Sequence, residues 1–149
     1  MVATAAKQVG AKSTPPRLLV VTSDELLQHK VSRLLAEEHC ELCFRKPGRR
    51  MGRDLSWLPE AEVVLLDVSG SLKTVLHALA SLTERHPEAK VVVLVPQSEM
   101  YFWIEAIHLG AWECLPKPVE ETELKAVLMD ASRARYRSGA SHPQLLSLA

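Results

Sequence analysis

Apolar residues recur along this chain in short uninterrupted runs, and longer segments with apolar residues at helical spacing separate them. Runs rich in Val and Leu and bounded by polar or turn-forming residues are typical of buried strands. Segments in which apolar residues recur every three or four positions are typical of helices with one buried face. The predicted strands are residues 18–21, 40–45, 63–66, 91–95 and 111–115.

The predicted helices follow these strands. The first spans residues 24–38, another ends at Gly110, and the last spans residues 119–136. Glycine is a common residue just after the C-terminus of a helix. The helix residues expected to face the core are Leu27, Val31, Leu34, Leu35, Leu72, Val75, Leu76, Leu79, Ile104, Ile107, Leu124, Val127, Leu128 and Ala131.

The alternation of strands and helices predicts the fold class. Strands that are apolar throughout, rather than at every second residue, have both faces covered. Five strand–helix units in residues 17–136 therefore predict an α/β domain in which an open, doubly wound parallel sheet lies between two layers of helices. Ligands bind such sheets beyond the carboxyl ends of the strands, where the strand order reverses.

Length, composition and charge fit one globular domain with short tails. The chain has 149 residues, of which 47% are hydrophobic, and its 18 basic and 18 acidic residues cancel. Zero net charge gives no electrostatic case for nucleic-acid binding. We expect a disordered N-terminal tail over residues 1–16 and a flexible C-terminal tail over residues 137–149. No apolar run approaches the roughly 20 residues that span a bilayer, so we expect a cytoplasmic protein without membrane contact.

Two charged residues are expected at the carboxyl edge of the sheet. Asp67 directly follows the strand at residues 63–66, and Lys117 lies in a Leu-Pro-Lys-Pro motif at residues 115–118. Because parallel strands all end at the same edge, we expect the carboxylate and the ammonium group to lie close together.

Three motifs occur in order: Val-Leu-Leu-Asp at 64–67, Gly-Ala at 110–111 and Leu-Pro-Lys-Pro at 115–118. With them, residues 17–136 resemble the receiver domain of bacterial response regulators, in the chemotaxis-type (CheY-like) single-domain form. The resemblance implies a flavodoxin-like sheet with strand order 2-1-3-4-5. It also implies that Asp67 accepts a phosphoryl group, that Lys117 pairs with that group, and that the Lys117–Pro118 bond is cis.

The chain departs from this family at the positions that hold a divalent cation. Thr22 and Ser23 stand where the family has two acidic residues. Magnesium usually binds through one or two carboxylates. Asp67, with Asp24 one residue further along, therefore predicts at most a weak Mg²⁺ site, and we expect no other cofactor.

The chain also departs from the family at its two switch positions. Val95 stands where the family has a hydroxyl residue, and Cys114 stands where it has an aromatic residue. Valine has no group that could hydrogen-bond a phosphoryl oxygen, and a thiol is too small to swing as an aromatic ring does. A conformational change caused by phosphorylation of Asp67 therefore has no ready route to the protein surface.

Structural explanations compete with these functional ones. Asp67 and Lys117 could form a plain ion pair, because opposite charges attract without a metal between them. The Thr-x-x-Glu pattern at Thr22 and Glu25 fits a capping box at the start of the first helix. We favour the ion pair slightly over a phosphorylation site, and the capping box over a metal role for Asp24.

Four aromatic residues raise the question of an interaction surface. Tyr101, Phe102 and Trp103 are consecutive, so they cannot all face the core from one helix. With Trp112 they could form an exposed apolar patch. In the family, the face formed by the fourth helix, the fifth strand and the fifth helix carries dimer and output contacts. For these aromatic residues, a role in a homodimer through this face and ordinary packing against the core are equally favoured.

The sequence as a whole predicts an atypical receiver of two-component signalling, with weak or absent Mg²⁺-dependent phosphorylation of Asp67. It would act by contact with a histidine kinase or another signalling protein, and would catalyse at most its own phosphorylation. One alternative is a fully competent phosphoacceptor. A second is a flavodoxin-like binder of a small phosphorylated ligand, which is disfavoured because no Gly-rich or Ser/Thr-rich phosphate loop follows the first strand.

Overall fold

A computed structural model describes residues 15–47, 61–67, 72–99 and 101–134 of the chain. The predicted tails lie outside these residues, apart from Pro15 and Pro16. None of the described helices is long and apolar enough to cross a membrane. The elements are β1 (Arg17–Val21), α1 (Glu25–Leu34), β2 (Glu41–Arg45), β3 (Val63–Asp67), α2 (Leu72–Arg85), β4 (Lys90–Pro96), a 3₁₀ turn (Gln97–Glu99), α3 (Tyr101–His108), β5 (Glu113–Lys117) and α4 (Glu121–Arg133).

The five described strands form one sheet in the order β2-β1-β3-β4-β5, and every neighbouring pair is parallel. The doubly wound α/β fold with strand order 2-1-3-4-5 is therefore confirmed. The order reverses beside β1, because the chain passes from β1 outward to β2 and then back to β3 on the other side. The carboxyl ends of β1 and β3 consequently lie side by side.

The sheet divides the core into two clusters. On one face, Val64 and Leu66 of β3 pack with α2 and α3, and we call this the first cluster. On the other face, Val63 and Leu65 pack with α1 and α4 in the second cluster. All four residues are buried, which is why β3 is apolar throughout rather than at alternate positions. The prediction that both faces are covered is confirmed for this strand.

The last strand begins later than the sequence predicts. The prediction of residues 111–115 is wrong by two positions, because Gly110 and Ala111 belong to the end of α3. The backbone N–H of Gly110 donates to Ile107 and that of Ala111 donates to Ala106, which together form a Schellman motif. Gly110 has φ +109°, and a Cβ there would lie 2.7 Å from Cγ2 of Thr83. Glycine at this position thus lets α3 stop and β5 start.

Most described helix residues predicted to face the core do so, with one clear exception; the side chain of Leu72 lies outside the described part of the structure. Ile104 is 54% exposed, whereas Phe102, Ala106 and Ile107 form the buried face of α3. Ile104 lies half a turn from both Phe102 and Ala106, so the bulkier Phe102 sets which side of this short helix is buried. A further set is only partly buried at the rim of the clusters, namely Leu34, Leu76 and Val127. The first helix also ends at Leu34, before the predicted residue 38.

Candidate functional site

The structure brings Asp67 and Lys117 together at the carboxyl edge of the sheet. Asp67 ends β3 and Lys117 ends β5, and Nζ of Lys117 donates to Oδ1 of Asp67 at 2.7 Å. The Asp67 side chain is 6% exposed and the Lys117 side chain 32% exposed. The ion pair therefore joins a buried carboxylate to an ammonium group that water still reaches. The Lys117–Pro118 bond is cis, as the resemblance implies.

Thr22 provides a second donor to Asp67. Its hydroxyl Oγ1 donates to Oδ2 of Asp67 at 2.7 Å, and the Thr22 side chain is fully buried. The same Oγ1 accepts the backbone N–H of Asp24 at 3.0 Å. Ser23, the other position that the resemblance singled out, is exposed. Each oxygen of the Asp67 carboxylate is thus hydrogen-bonded to one group of the chain itself.

Asp24 caps α1 rather than joining Asp67. Its backbone is extended, and its Oδ1 accepts the backbone N–H of Leu26 at 2.9 Å. The capping box with Thr22 as its first residue is therefore wrong, because the helix begins two residues later with Asp24 as its N-cap. Side-chain oxygens at this position satisfy N–H groups that have no partner within the helix.

The carboxylates at this edge are hydrogen-bonded to other groups of the chain. Mg²⁺ prefers octahedral oxygen ligands, usually including one or two carboxylates. Asp67 accepts hydrogen bonds from Thr22 and Lys117, and Oδ1 of Asp24 accepts one from the first turn of α1. Among the residues that the structure describes, no group of three or more His, Cys, Asp or Glu side chains could hold a metal ion.

The two switch positions of the family are apolar here. Val95 and Cys114 are fully buried in the first cluster. Burial, followed by the nearby charge of Glu113, raises the pKa of the Cys114 thiol to about 12. The thiol therefore stays neutral at physiological pH, and this side of the site contributes packing rather than charge.

The aromatic residues do not form a single patch. Tyr101 is 68% exposed, as expected for at least one of them, whereas Phe102 is buried and Trp103 packs against the first cluster. Trp112 packs against the second cluster, on the opposite face of the sheet, so the prediction that it extends the patch is wrong. Tyr101 and the exposed Ile104 are instead neighbours one turn apart on α3.

Comparisons with known proteins agree with the fold. No protein-family model matches the chain. Protein CcdB of Bacillus subtilis (strain 168) is 27% identical over 108 residues, which cover 72% of this chain and 90% of that protein. The signal receiver domain of an HD domain-containing protein from Pseudomonas fluorescens Pf-5 has a TM-score of 0.70 at 21% identity, and covers 83% of this chain and 98% of its own.

A CheY-like response regulator receiver domain protein from Methanospirillum hungatei JF-1 gives a similar result. Its TM-score is 0.69 at 16% identity, and the match covers 84% of this chain and 99% of that one. A receiver domain protein from Clostridium thermocellum has a TM-score of 0.69 at 20% identity, over 81% of this chain and 97% of its own. The chain therefore has the fold of a response-regulator receiver domain.

Proposed function

We propose that this protein is a cytoplasmic receiver module of two-component signalling that acts through protein contacts, with little or no Mg²⁺-dependent phosphorylation of Asp67. One observation carries the proposal: both oxygens of the Asp67 carboxylate are already bonded to groups of the chain. The receiver fold supports the signalling role, and its partners would be a histidine kinase or another signalling protein.

The energetics of the site favour a paired carboxylate over a reactive one. A hydrogen bond to a charged group contributes about 1.5–3 kcal/mol, and Asp67 accepts two of them. A carboxylate oxygen that accepts a hydrogen bond is a weaker nucleophile, because the donor stabilises its negative charge. Phosphoryl transfer also needs positive charge to neutralise the transferring group. Lys117 would supply that charge, but its ammonium group is already bonded to Asp67.

The contact surface that we propose lies on α3. Tyr101 and Ile104 are exposed apolar residues at the first turn and the middle of this helix. An apolar pair on a helix surface suits a protein partner better than water. A homodimer through the face formed by α3, β5 and α4 remains a prediction. Because Val95 and Cys114 are inert, contact there would not depend on phosphorylation of Asp67.

A titration with Mg²⁺ and beryllofluoride, a phosphoryl mimic, tests the proposal. Trp103, one of the chain's three tryptophans, lies in the first turn of α3, so tryptophan fluorescence includes a signal from that region. We expect no saturable change at millimolar Mg²⁺. Intact-mass measurement after incubation with acetyl phosphate and Mg²⁺ should likewise show no phosphorylated chain.

The matched control is Asp67→Asn, which keeps the size of the side chain and removes its charge. A saturable fluorescence response in the natural chain that disappears in this variant would reject the proposal. The protein would then be a competent phosphoacceptor, the alternative that the Asp67–Lys117 contact also permits. A response that persists in the variant would report metal binding elsewhere and would leave the proposal standing.

A further inference from the structure

Hydrogen bonds connect Asp67 to the first turn of α1 through the side chains of Thr22 and Asp24. Thr22 Oγ1 donates to Asp67 Oδ2 and accepts the backbone N–H of Asp24. Asp24 Oδ1 in turn accepts the backbone N–H of Leu26. The path from a buried carboxylate to a surface helix is thus continuous and short, and each link is 2.7–3.0 Å long.

Thr22 has little freedom to make any other arrangement. Its side chain is fully buried, and its backbone N–H donates to the carbonyl of Arg45 at 3.0 Å, which extends the pairing of β1 with β2. A hydroxyl group has one proton to donate. Since that proton is directed at Asp67, the oxygen lone pairs of Thr22 are left for the N–H of Asp24. A change in the acceptor at residue 67 therefore changes what Thr22 offers to α1.

The other side of Asp67 offers no comparable connection. The residues at the switch positions of the family, Val95 and Cys114, are buried in the apolar first cluster. Lys117 is the second donor to Asp67 and is partly solvated, so it can respond to a change at Asp67 by moving into water. Within the described part of the chain, the polar path that reaches a helix from Asp67 runs through Thr22.

We propose that Thr22 is the positioning residue of this site: its hydroxyl holds Asp67 in the orientation that pairs with Lys117 and couples the hydrogen bonding of the Asp67 side chain to the first turn of α1. The inference rests on the proposed function only in taking Asp67 as the central residue of the site, and it concerns the hydrogen bonds of Asp67 rather than its phosphorylation. Leu26, the residue after the first residue of α1, is 78% exposed. A partner protein that contacts Leu26 through an apolar residue would therefore respond to a change in the hydrogen bonds of Asp67, without any change in α3.

Amide hydrogen exchange in the full chain, measured by NMR without Mg²⁺, tests the coupling. The probes are the backbone amides of Asp24 and Leu26. We expect Thr22→Val, which keeps the shape and removes the hydroxyl, to raise both exchange rates about tenfold, as the loss of one hydrogen bond allows. Thr22→Ser, which keeps the hydroxyl, should restore the natural rates to within about twofold.

A double-mutant cycle separates coupling from a merely structural role. Asp67→Ala removes the acceptor of the Thr22 hydroxyl, and we expect it to raise the exchange rate of the Leu26 amide about fivefold in the natural chain. In the Thr22→Val background the same change should have no further effect. An equal effect of Asp67→Ala in both backgrounds would overturn the inference.

Lys117→Met keeps the test decisive if Thr22→Val does not fold. This change removes the other donor to Asp67 and leaves the bond from Thr22 in place. We expect it to leave the Leu26 amide unchanged while Asp67→Ala speeds its exchange. Equal effects of the two changes, or no effect of Asp67→Ala, would overturn the inference.

Failure of this inference is distinguishable from failure of the proposed function. An Mg²⁺-dependent response to beryllofluoride would reject the proposed function and say nothing against the bonds through Thr22. An unchanged Leu26 amide in Asp67→Ala would reject the coupling and leave the Mg²⁺-independent function in place.

Discussion

Asp67 and Glu113 both lie out of full contact with water, and they differ in what surrounds them. Asp67, at the carboxyl edge of the sheet, is buried and accepts hydrogen bonds from Thr22 and Lys117. Glu113, at the start of β5 and so at the opposite edge, is half-buried. Among the described residues, no Lys or Arg side chain forms an ion pair with Glu113.

The surroundings of Glu113 disfavour its charge. Burial, followed by the negative charges of Glu123 and Asp130 on α4, raises the pKa of Glu113 from 4.5 to about 7. The more deeply buried Asp67 has its donors, whereas the less deeply buried Glu113 has like charges. The two sites show that hydrogen-bond donors beside a buried carboxylate support its charge, whereas burial beside like charges and without an ion pair disfavours it.

The largest effect is expected from removing the cation beside Asp67. Lys117→Met keeps the length of the side chain and leaves the buried carboxylate with Thr22 alone. Breaking a buried ion pair costs about 3–5 kcal/mol. Since Lys117 is 32% exposed and Thr22 remains, we expect the free energy of unfolding in urea at pH 7 to fall by about 2 kcal/mol.

The control is the same substitution in a more exposed pair. Lys125 Nζ lies 3.2 Å from Glu38 Oε2, and the two side chains are 42% and 30% exposed. Lys125→Met should lower the free energy of unfolding by no more than about 0.5 kcal/mol. If both variants lost the same free energy of unfolding, the burial of Asp67 would have no energetic consequence. The contrast drawn with Glu113 would then be wrong.

The sequence allows the fold and the central contact to be predicted. Apolar runs such as 63–66 and 91–95 predict strands covered on both faces, and the sheet follows from their alternation with helices. Asp67 and Lys117 each end a strand, so a parallel sheet places them at one edge whatever the details of the loops. The contact between Asp67 and Lys117 could be predicted because buried strands that alternate with helices run parallel.

The contact between Thr22 and Asp67 could not be predicted in the same way. The two residues are 45 positions apart, and the local Thr-x-x-Glu pattern indicated a capping role for Thr22 instead. Asp24 took that role because α1 begins at Glu25. The environment of Glu113 was equally hidden, since Glu123 and Asp130 approach it only after α4 packs on the sheet. Local pattern does not encode such pairings.

The next effect concerns the dependence of stability on pH. Because the pKa of Glu113 is 4.5 in the unfolded reference and about 7 in the folded chain, folding takes up a proton between these values. Stability contributed by this residue is therefore lost as the pH rises from about 4.5 to 7, and the loss is complete above pH 7. After a discount for solvent screening of this half-buried group, the loss is about 1 kcal/mol.

Glu113→Gln removes the titrating group and should remove this loss. We expect the variant to be more stable than the natural chain by about 1 kcal/mol at pH 8, and to match it near pH 4.5, in urea unfolding at both pH values. Glu37→Gln, at an exposed position after α1, is the control: it retains Glu113, so it should lose stability with pH as the natural chain does and gain nothing over that chain at pH 8. A Glu113→Gln variant that is less stable at pH 8 would mean that an unseen donor supports the charge.

The smallest expected change separates the causes that raise the pKa of Glu113. Burial is the largest cause of its raised pKa, and Glu123 comes next. Glu123→Gln removes one nearby negative charge and leaves burial unchanged, so the pKa of Glu113 should fall by only ~0.3, measured by ¹³C NMR of the side-chain carboxyl. Asp130→Asn should lower it by less, and Glu25→Gln on α1 serves as the distant control. A fall of about one pH unit in Glu123→Gln would instead make repulsion between carboxylates the dominant cause, because the charge of Glu123 would then outweigh the loss of hydration.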